Sequence, residues 1–105
     1  MSSNTKKYDS TATNKFYEKA NELRLENMFK EAISNYLNAI LIDRNNAESY
    51  YGLGVCYKNL QKFPKAIKYL ETAAELKEDY YEAYFELGIC PVSYTHLRAH
   101  ETLAN

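Results

Sequence analysis

The fold is decided by residues 47–80, which read AESYYGLGVCYKNLQKFPKAIKYLETAAELKEDY. In the second half of this stretch Ala66, Leu70 and Ala73 recur at the three- and four-residue spacing of one helix face. Pro64 precedes them at a place where a helix can begin, because the N–H that proline lacks is not used in the first helical turn. The stretch therefore predicts two helices, at about residues 47–60 and 63–77.

The same pattern recurs 34 residues earlier and 34 residues later. Aromatic residues align at Phe16, Tyr50 and Tyr84. In the second helix the alignment pairs Phe29 with Phe63, Ala32 with Ala66, Ile33 with Ile67, Tyr36 with Leu70 and Ala39 with Ala73. Aromatic, small and aliphatic classes that match together at one offset indicate a repeated helical unit.

The unit resembles the tetratricopeptide repeat, whose first helix reads aromatic-x2-Leu-Gly-x2-Tyr and whose second reads Ala-x3-aromatic or Leu. The matching residues are Tyr50, Leu53, Gly54 and Tyr57, followed by Ala66 and Leu70. The resemblance implies an all-α fold, an α-solenoid of antiparallel helix pairs. It covers residues 13–90 and gives two full repeats, 13–46 and 47–80, and the first helix of a third at 81–90. Residues 1–12 are polar, and we expect them to be disordered.

Small residues recur at one position of the first helix, at Ala20, Gly54 and Gly88. Glycine inside a helix costs about 1 kcal/mol relative to alanine, so we expect close helix packing at all three. Larger side chains are expected to fill the space between helix layers: Phe16, Tyr50, Leu53, Tyr57, Leu70 and Leu76.

Helix boundaries are also legible. Asn46 is expected to cap the helix that starts at Ala47, and Asp79 with Glu82 resembles a capping box for the last helix. The predicted helices are 13–26, 30–43, 47–60, 63–77 and 80–90.

The end of the chain breaks the repeat register at Pro91, since proline in a helix interior costs about 3 kcal/mol. Residues 92–102, VSYTHLRAHET, resemble a transposase-type sequencing adapter translated in one frame. We therefore expect residues 91–105 to be a non-native tail. Both histidines of the chain, His96 and His100, lie in it, so a metal site built from them and Cys90 is not expected.

Composition excludes several functions. The chain of 105 residues has 13 Lys and Arg against 14 Asp and Glu, which gives no electrostatic reason to expect nucleic acid or an anionic membrane as partner. Without the tail there is no histidine to act as a general base, and no glycine-rich phosphate loop precedes a helix. We expect no catalysis, no cofactor and no metal. With no apolar segment that would direct export, the cytoplasm is the expected location.

The two cysteines, Cys56 and Cys90, are 34 residues apart and so occupy the same slot of neighbouring repeats. Neighbouring helix axes lie about 8–10 Å apart, so a strain-free disulfide is not expected. We expect both to be small packing residues, with a redox pair as the alternative.

The resemblance further implies that first helices line a concave groove that binds a partner. Tyr17, Tyr51 and Phe85 would form an aromatic line along it, although the same rings could instead be internal packing between first helices. The implied groove residues are Asn14, Tyr17, Asn21, Arg24, Leu25, Glu48, Tyr51, Val55, Lys58, Asn59, Glu82, Phe85 and Ile89.

Some family members grip a C-terminal carboxylate with Lys, Asn and Arg. Asn21 fits that pattern, but Tyr17 replaces a lysine, and Glu82 and Glu86 stand where cations would be. Two acids repel a carboxylate, so a neutral or mixed-charge peptide is the expected ligand.

The sequence therefore predicts a non-catalytic scaffold that binds a protein or peptide in its groove. The alternative is the N-terminal docking or regulatory segment of a larger, truncated enzyme. Self-association through an uncapped C-terminal end is also expected to be possible, because the face around Tyr84, Leu87 and Gly88 would lack a covering helix.

Overall fold

The computed structural model describes residues 10–88, which form five α-helices and no strand. Each helix packs against the next, and α1 also contacts α3. Since the connections are only a few residues long, consecutive helices run antiparallel. The predicted all-α solenoid of helix pairs is confirmed. The helices are α1 (Ser10–Leu25), α2 (Phe29–Ile42), α3 (Ala47–Asn59), α4 (Phe63–Leu76) and α5 (Tyr81–Leu87).

The two outer boundaries differ from the sequence prediction. Helix α1 begins at Ser10, so the last three residues of the segment expected to be disordered are helical. Thr13, in the first turn of this helix, is only 3% exposed, so this end of α1 is packed against the protein. Helix α5 ends at Leu87 and not at residue 90, because Gly88 adopts the left-handed conformation with φ 76° and caps it.

The turns inside the two full repeats have the same construction. Asn27 and Gln61 occupy equivalent slots and have φ values of 64° and 63°. After each, the next amide donates back into the first helix, from Met28 to the Leu23 carbonyl and from Lys62 to the Tyr57 carbonyl, both at 2.8 Å. A left-handed residue followed by this bond ends a helix sharply and sends the chain back.

Three helix-start signals were predicted from the sequence, and the structure confirms two of them. The Asn46 side chain accepts a hydrogen bond from the Ser49 amide at 2.9 Å and so caps α3 as predicted. Pro64 lies in the first turn of α4, also as predicted. The capping box at Asp79 is wrong, because Tyr80 occupies the cap position of α5 and no side chain makes a capping bond there.

The core follows the interfaces between helices and falls into two clusters. The first lies between α1, α2 and α3 around the fully buried Tyr36 and Leu53, and the second joins α3, α4 and α5 around Tyr80 and Tyr84. Gly54 lies where α3 packs tightly on α4, since a Cβ built there would lie 2.4 Å from Leu70 Cγ. The predicted close packing at this glycine is confirmed.

Other packing predictions fail at the C-terminal end. Among residues 10–88 nothing lies within 4 Å of a Cβ built on Gly88, so that glycine serves as a helix cap and not as a packing site. Leu76 is 41% exposed and does not fill the core, because it lies in the last turn of α4. Tyr84 is only 4% exposed, so the expectation that it would be uncovered is wrong. Its hydroxyl donates to the Glu78 carbonyl oxygen.

The second helices of the two repeats differ in how well they are covered. Ile33 of α2 is 9% exposed, whereas Ile67, its equivalent in α4, is 48% exposed. Phe63 is 51% exposed, while its equivalent Phe29 is partly buried against the first cluster. The apolar edge of the first repeat is therefore covered by α3. The equivalent edge of the second repeat, with Phe63 and Ile67, is exposed to solvent, and we call it the open edge.

Candidate binding groove

The first helices α1, α3 and α5 form one surface, which we call the groove face. They bring charged residues around Tyr51 in the middle of this surface. Burial is the main cause that raises the pKa of Tyr51, and the nearby carboxylates of Glu86 and Glu82 raise it further, while Arg24 lowers it. Residues predicted from three separate helices therefore lie within electrostatic range of one hydroxyl.

A hydrogen-bond network fixes the α1 side of the groove face. Arg24 Nε donates to the Tyr36 hydroxyl at 2.9 Å, and that hydroxyl donates to Asn21 Oδ1. Burial raises the pKa of Tyr36 to about 12, against the opposing effect of Arg24. The Tyr36 ring lies directly over Gly52, where a Cβ would come within 2.2 Å of Tyr36 Cζ. Arg24 is thus held by a side chain that is itself fully buried and packed against Gly52.

An open pocket of about 500 Å³ lies on the α5 side of the groove face. Phe85 is 80% exposed and Tyr81 is 61% exposed. Lys58 Nζ of α3 contacts Glu86 Oε1 of α5 at 2.8 Å and ties the two helices together. The pocket is lined by Tyr51, Tyr81, Glu82, Phe85 and Glu86.

The predicted aromatic line is divided between packing and exposure. The Tyr17 ring lies 6.2 Å from that of Tyr36, and the Tyr51 ring lies 5.3 Å from that of Tyr80. Both tyrosines are half-buried by these contacts. Only Phe85 presents most of its ring to a partner.

The remaining predicted groove residues differ in accessibility. Val55 is 9% exposed and therefore packs inside the protein. Glu48 is half-buried and pairs with Lys77 at 3.3 Å. Ile89 lies outside the described residues. Exposed positions are Asn14, Leu25, Lys58, Asn59, Glu82 and Phe85, and half-buried ones are Tyr17, Asn21, Arg24 and Tyr51.

Two parts of the surface were not predicted from the sequence. Tyr81 lines the pocket but was not among the predicted groove positions. On the side formed by α2, a second pocket of about 570 Å³ lies over Tyr50, lined by Leu37, Ile40, Leu41 and Arg44. The sequence signal was the number of apolar residues at the end of α2, which includes Leu37, Ile40 and Leu41. Leu41 is exposed in the structure.

Residues 10–88 show neither a metal site nor an exposed reactive thiol. No group of three His, Cys, Asp or Glu side chains there is placed to hold a metal ion. Cys56 is a free thiol, and burial raises its pKa to about 11. This agrees with a packing role for Cys56, while Cys90 and the tail histidines lie outside the described residues. None of the helices described combines the length and apolar character that a membrane crossing needs.

Comparison with known proteins gives a consistent result. Family models described as "Tetratricopeptide repeat" and "TPR repeat" match residues 47–80 and 20–61. The solved structure of the first TPR of Spaghetti (RPAP3) bound to HSP90 peptide SRMEEVD is similar, with a TM-score of 0.73 and 26% identity. The match covers 78% of this chain and 65% of that one, so the chain spans slightly less than two thirds of its structural relative. No curated protein matches significantly. Together with the 34-residue period and the paired helices, these matches show that the chain belongs to the tetratricopeptide repeat family.

Proposed function

We propose that the chain is a non-catalytic scaffold that binds a peptide or protein partner on the groove face. The observation that carries this proposal is the open pocket between α3 and α5, beside which the Phe85 ring is 80% exposed. Exposed aromatic side chains beside a pocket are the usual anchors of protein interfaces. The similar structure, which holds an HSP90 peptide, supports a peptide as the kind of ligand.

The peptide of that relative is itself a useful probe. SRMEEVD carries three acidic side chains, and on the groove face it would meet Glu82 and Glu86. We expect this chain to bind SRMEEVD weakly or not at all, because carboxylates on both sides repel each other. The function proposed here is therefore binding of a neutral or mixed-charge segment in the cytoplasm, with no nucleic acid or membrane as partner.

Nuclear magnetic resonance can test the location of binding. Random dodecapeptides displayed on phage would be selected on the full chain, and a selected peptide would be titrated into isotope-labelled protein. We expect the amide signals of α1, α3 and α5 around Tyr51 to shift, and those on the outer side of α2 to stay. Selection of no peptide, or shifts confined to the α2 pocket around Leu41, would contradict the proposal. Phe85→Ala should weaken binding, while Phe63→Ala, which changes a ring that is 51% exposed and lies outside the groove face, should leave binding unchanged.

Two further roles remain predictions with their own tests. A docking segment of a larger enzyme would use the same groove face, and the gene sequence that follows codon 90 distinguishes it from a scaffold. Self-association was expected at the C-terminal end around Tyr84, Leu87 and Gly88; because Tyr84 is buried, we propose instead the open edge with Phe63 and Ile67, which are 51% and 48% exposed. Sedimentation of the full chain should then show association that Ile67→Glu abolishes, and a monomer at all concentrations would contradict it.

A further inference from the structure

The pocket on the α5 side of the groove face combines acidic and aromatic side chains. We propose that this pocket takes a lysine or arginine side chain of the partner, so that the groove face selects a mixed-charge segment with a basic residue at this point. The inference rests on the proposed function and specifies the chemistry of the ligand at that site. Two carboxylates, of Glu82 and Glu86, and three aromatic rings, of Tyr51, Tyr81 and Phe85, form the lining.

The charges of the lining favour a cation. Glu86 is already paired with Lys58, whereas Glu82 has no ion pair with any residue from 10 to 88. Two carboxylates against one lysine leave a negative charge beside the pocket. The Glu86 side chain is only 19% exposed, so its charge is less screened than that of a surface residue. A cationic side chain is attracted there and an acidic one is repelled.

The rings favour the same ligand. A lysine or arginine is attracted to the face of an aromatic ring within about 6 Å of its centroid. The chain already contains such pairs, with Lys77 Nζ 4.5 Å from the centre of the Tyr80 ring and Lys65 Nζ 5.3 Å from that of Tyr57. Phe85 adds an exposed ring beside the two carboxylates. An apolar side chain would use the rings but leave the Glu82 carboxylate without an ion pair.

The size of the pocket determines which side chain it can admit. The charges on either side of it determine the direction in which a bound segment lies. A volume of about 500 Å³ lies within the range of small-molecule pockets and can admit a long side chain. At the α1 side of the groove face the charge has the opposite sign, because Arg24 is held there by the Tyr36 hydroxyl. A bound segment is therefore expected to place its basic residue against α5 and a neutral or acidic residue against α1.

The experiment selects random dodecapeptides displayed on phage with the full chain and counts residue types in the bound pool. We expect Lys and Arg to be enriched over Asp and Glu. The dissociation constants of selected peptides are then measured for Glu82→Gln, with Glu71→Gln as the matched control on the exposed side of α4. Loss of one partly exposed ion pair should weaken binding by up to about fivefold in the first variant and not in the second.

Lys58→Gln separates the proposal from a structural effect of the substitutions. Because Lys58 occupies Glu86, its removal frees a carboxylate, and a basic peptide should bind about two- to fivefold more tightly. A general loosening of the α3–α5 contact would weaken binding instead. Raising the salt concentration should weaken binding to the unchanged protein, since the attraction is screened.

Each outcome is decisive. Enrichment of neutral or mixed-charge peptides whose affinity is the same for Glu82→Gln would overturn the inference and leave the proposed function standing, whereas enrichment of acidic peptides would overturn both. Failure to select any peptide would contradict the proposed function itself. Enrichment of basic peptides that respond equally to Glu82→Gln and Glu71→Gln would show only a general charge effect and would also overturn the inference.

Discussion

Gly54→Ala is expected to destabilise the protein, although alanine is the better helix former. A Cβ at this position would lie 2.4 Å from Leu70 Cγ and 3.2 Å from the Ala66 carbonyl oxygen. Carbon atoms normally approach to about 3.5–4.0 Å, so Leu70 would have to withdraw by about 1 Å or more. Leu70 is only 2% exposed and has packed neighbours on its other side, so the helices must separate or the side chain must leave its rotamer.

The expected magnitude follows from two opposing effects. Overpacking a core by one carbon costs about 1–3 kcal/mol, and the backbone oxygen behind Leu70 places this site in the upper part of that range, at about 2–3 kcal/mol. Alanine in place of glycine gains about 1 kcal/mol of helix propensity. The free energy of unfolding should fall by about 1–2 kcal/mol, and the melting temperature by about 5–15 °C.

The assay is urea and thermal unfolding followed by far-ultraviolet circular dichroism, in a double-mutant cycle with Leu70→Ala. Leu70→Ala alone should cost about 2–5 kcal/mol. In that background Gly54→Ala should become neutral or stabilise by up to about 1 kcal/mol, because the obstacle has been removed. An equal cost of Gly54→Ala in both backgrounds, or no cost in the unchanged protein, would refute the reasoning.

Four further results are expected. Gln61→Gly should raise the free energy of unfolding by about 0.5–1 kcal/mol, because it relieves the left-handed conformation. Asn27→Gly should raise it less, since asparagine tolerates that conformation, and equal effects in urea unfolding would contradict this. Tyr36→Phe removes the hydroxyl that orders the α1 side of the groove face and should cost about 1–2 kcal/mol in the same measurement. The pKa of Tyr36 is raised to about 12 and that of Cys56 to about 11, so their neutral forms contribute stability that is complete below pH 9 and is lost as the pH rises towards 12. The urea midpoint should therefore fall over this range, and a flat profile would contradict it. In a Cys90→Ser variant the remaining Cys56 thiol should react with a thiol reagent only when the protein unfolds, whereas rapid reaction of the native protein would show that the thiol is accessible.

The sequence predicted the helices inside the repeats well because their determinants are local. Asn46 caps α3 through the amide three residues later, and Pro64 starts α4. It failed where the role of a residue depends on a distant partner. Gly54 and Gly88 share one slot of the repeat, but only Gly54 faces a second helix that comes close, and Gly88 therefore acts as a cap.

The groove face was predictable as a set of helix positions but not as a set of accessible atoms. The period places Tyr17, Tyr51 and Phe85 in equivalent slots, yet it does not determine which neighbouring ring covers each. Tyr36 and Tyr80 cover the first two in the folded chain. The network that holds Arg24 was missed for a similar reason, because Tyr36 and Arg24 are 12 residues apart and meet only through packing of α1 on α2.

The open edge at Ile67 affects which part of the protein unfolds first. In a chain of stacked units, each unit is stabilised by its own packing and by its contact with the next. Ile33 gives the first unit such a contact, whereas the equivalent Ile67 is largely exposed, so α4 and α5 lack part of the free energy that holds α1 to α3. Partial unfolding should therefore begin at this end, and amide hydrogens of α4 and α5 should exchange with solvent sooner than those of α2 and α3. Since α5 carries four of the five residues that line the acidic pocket, a ligand seated there would slow that exchange, and binding would be linked to local order.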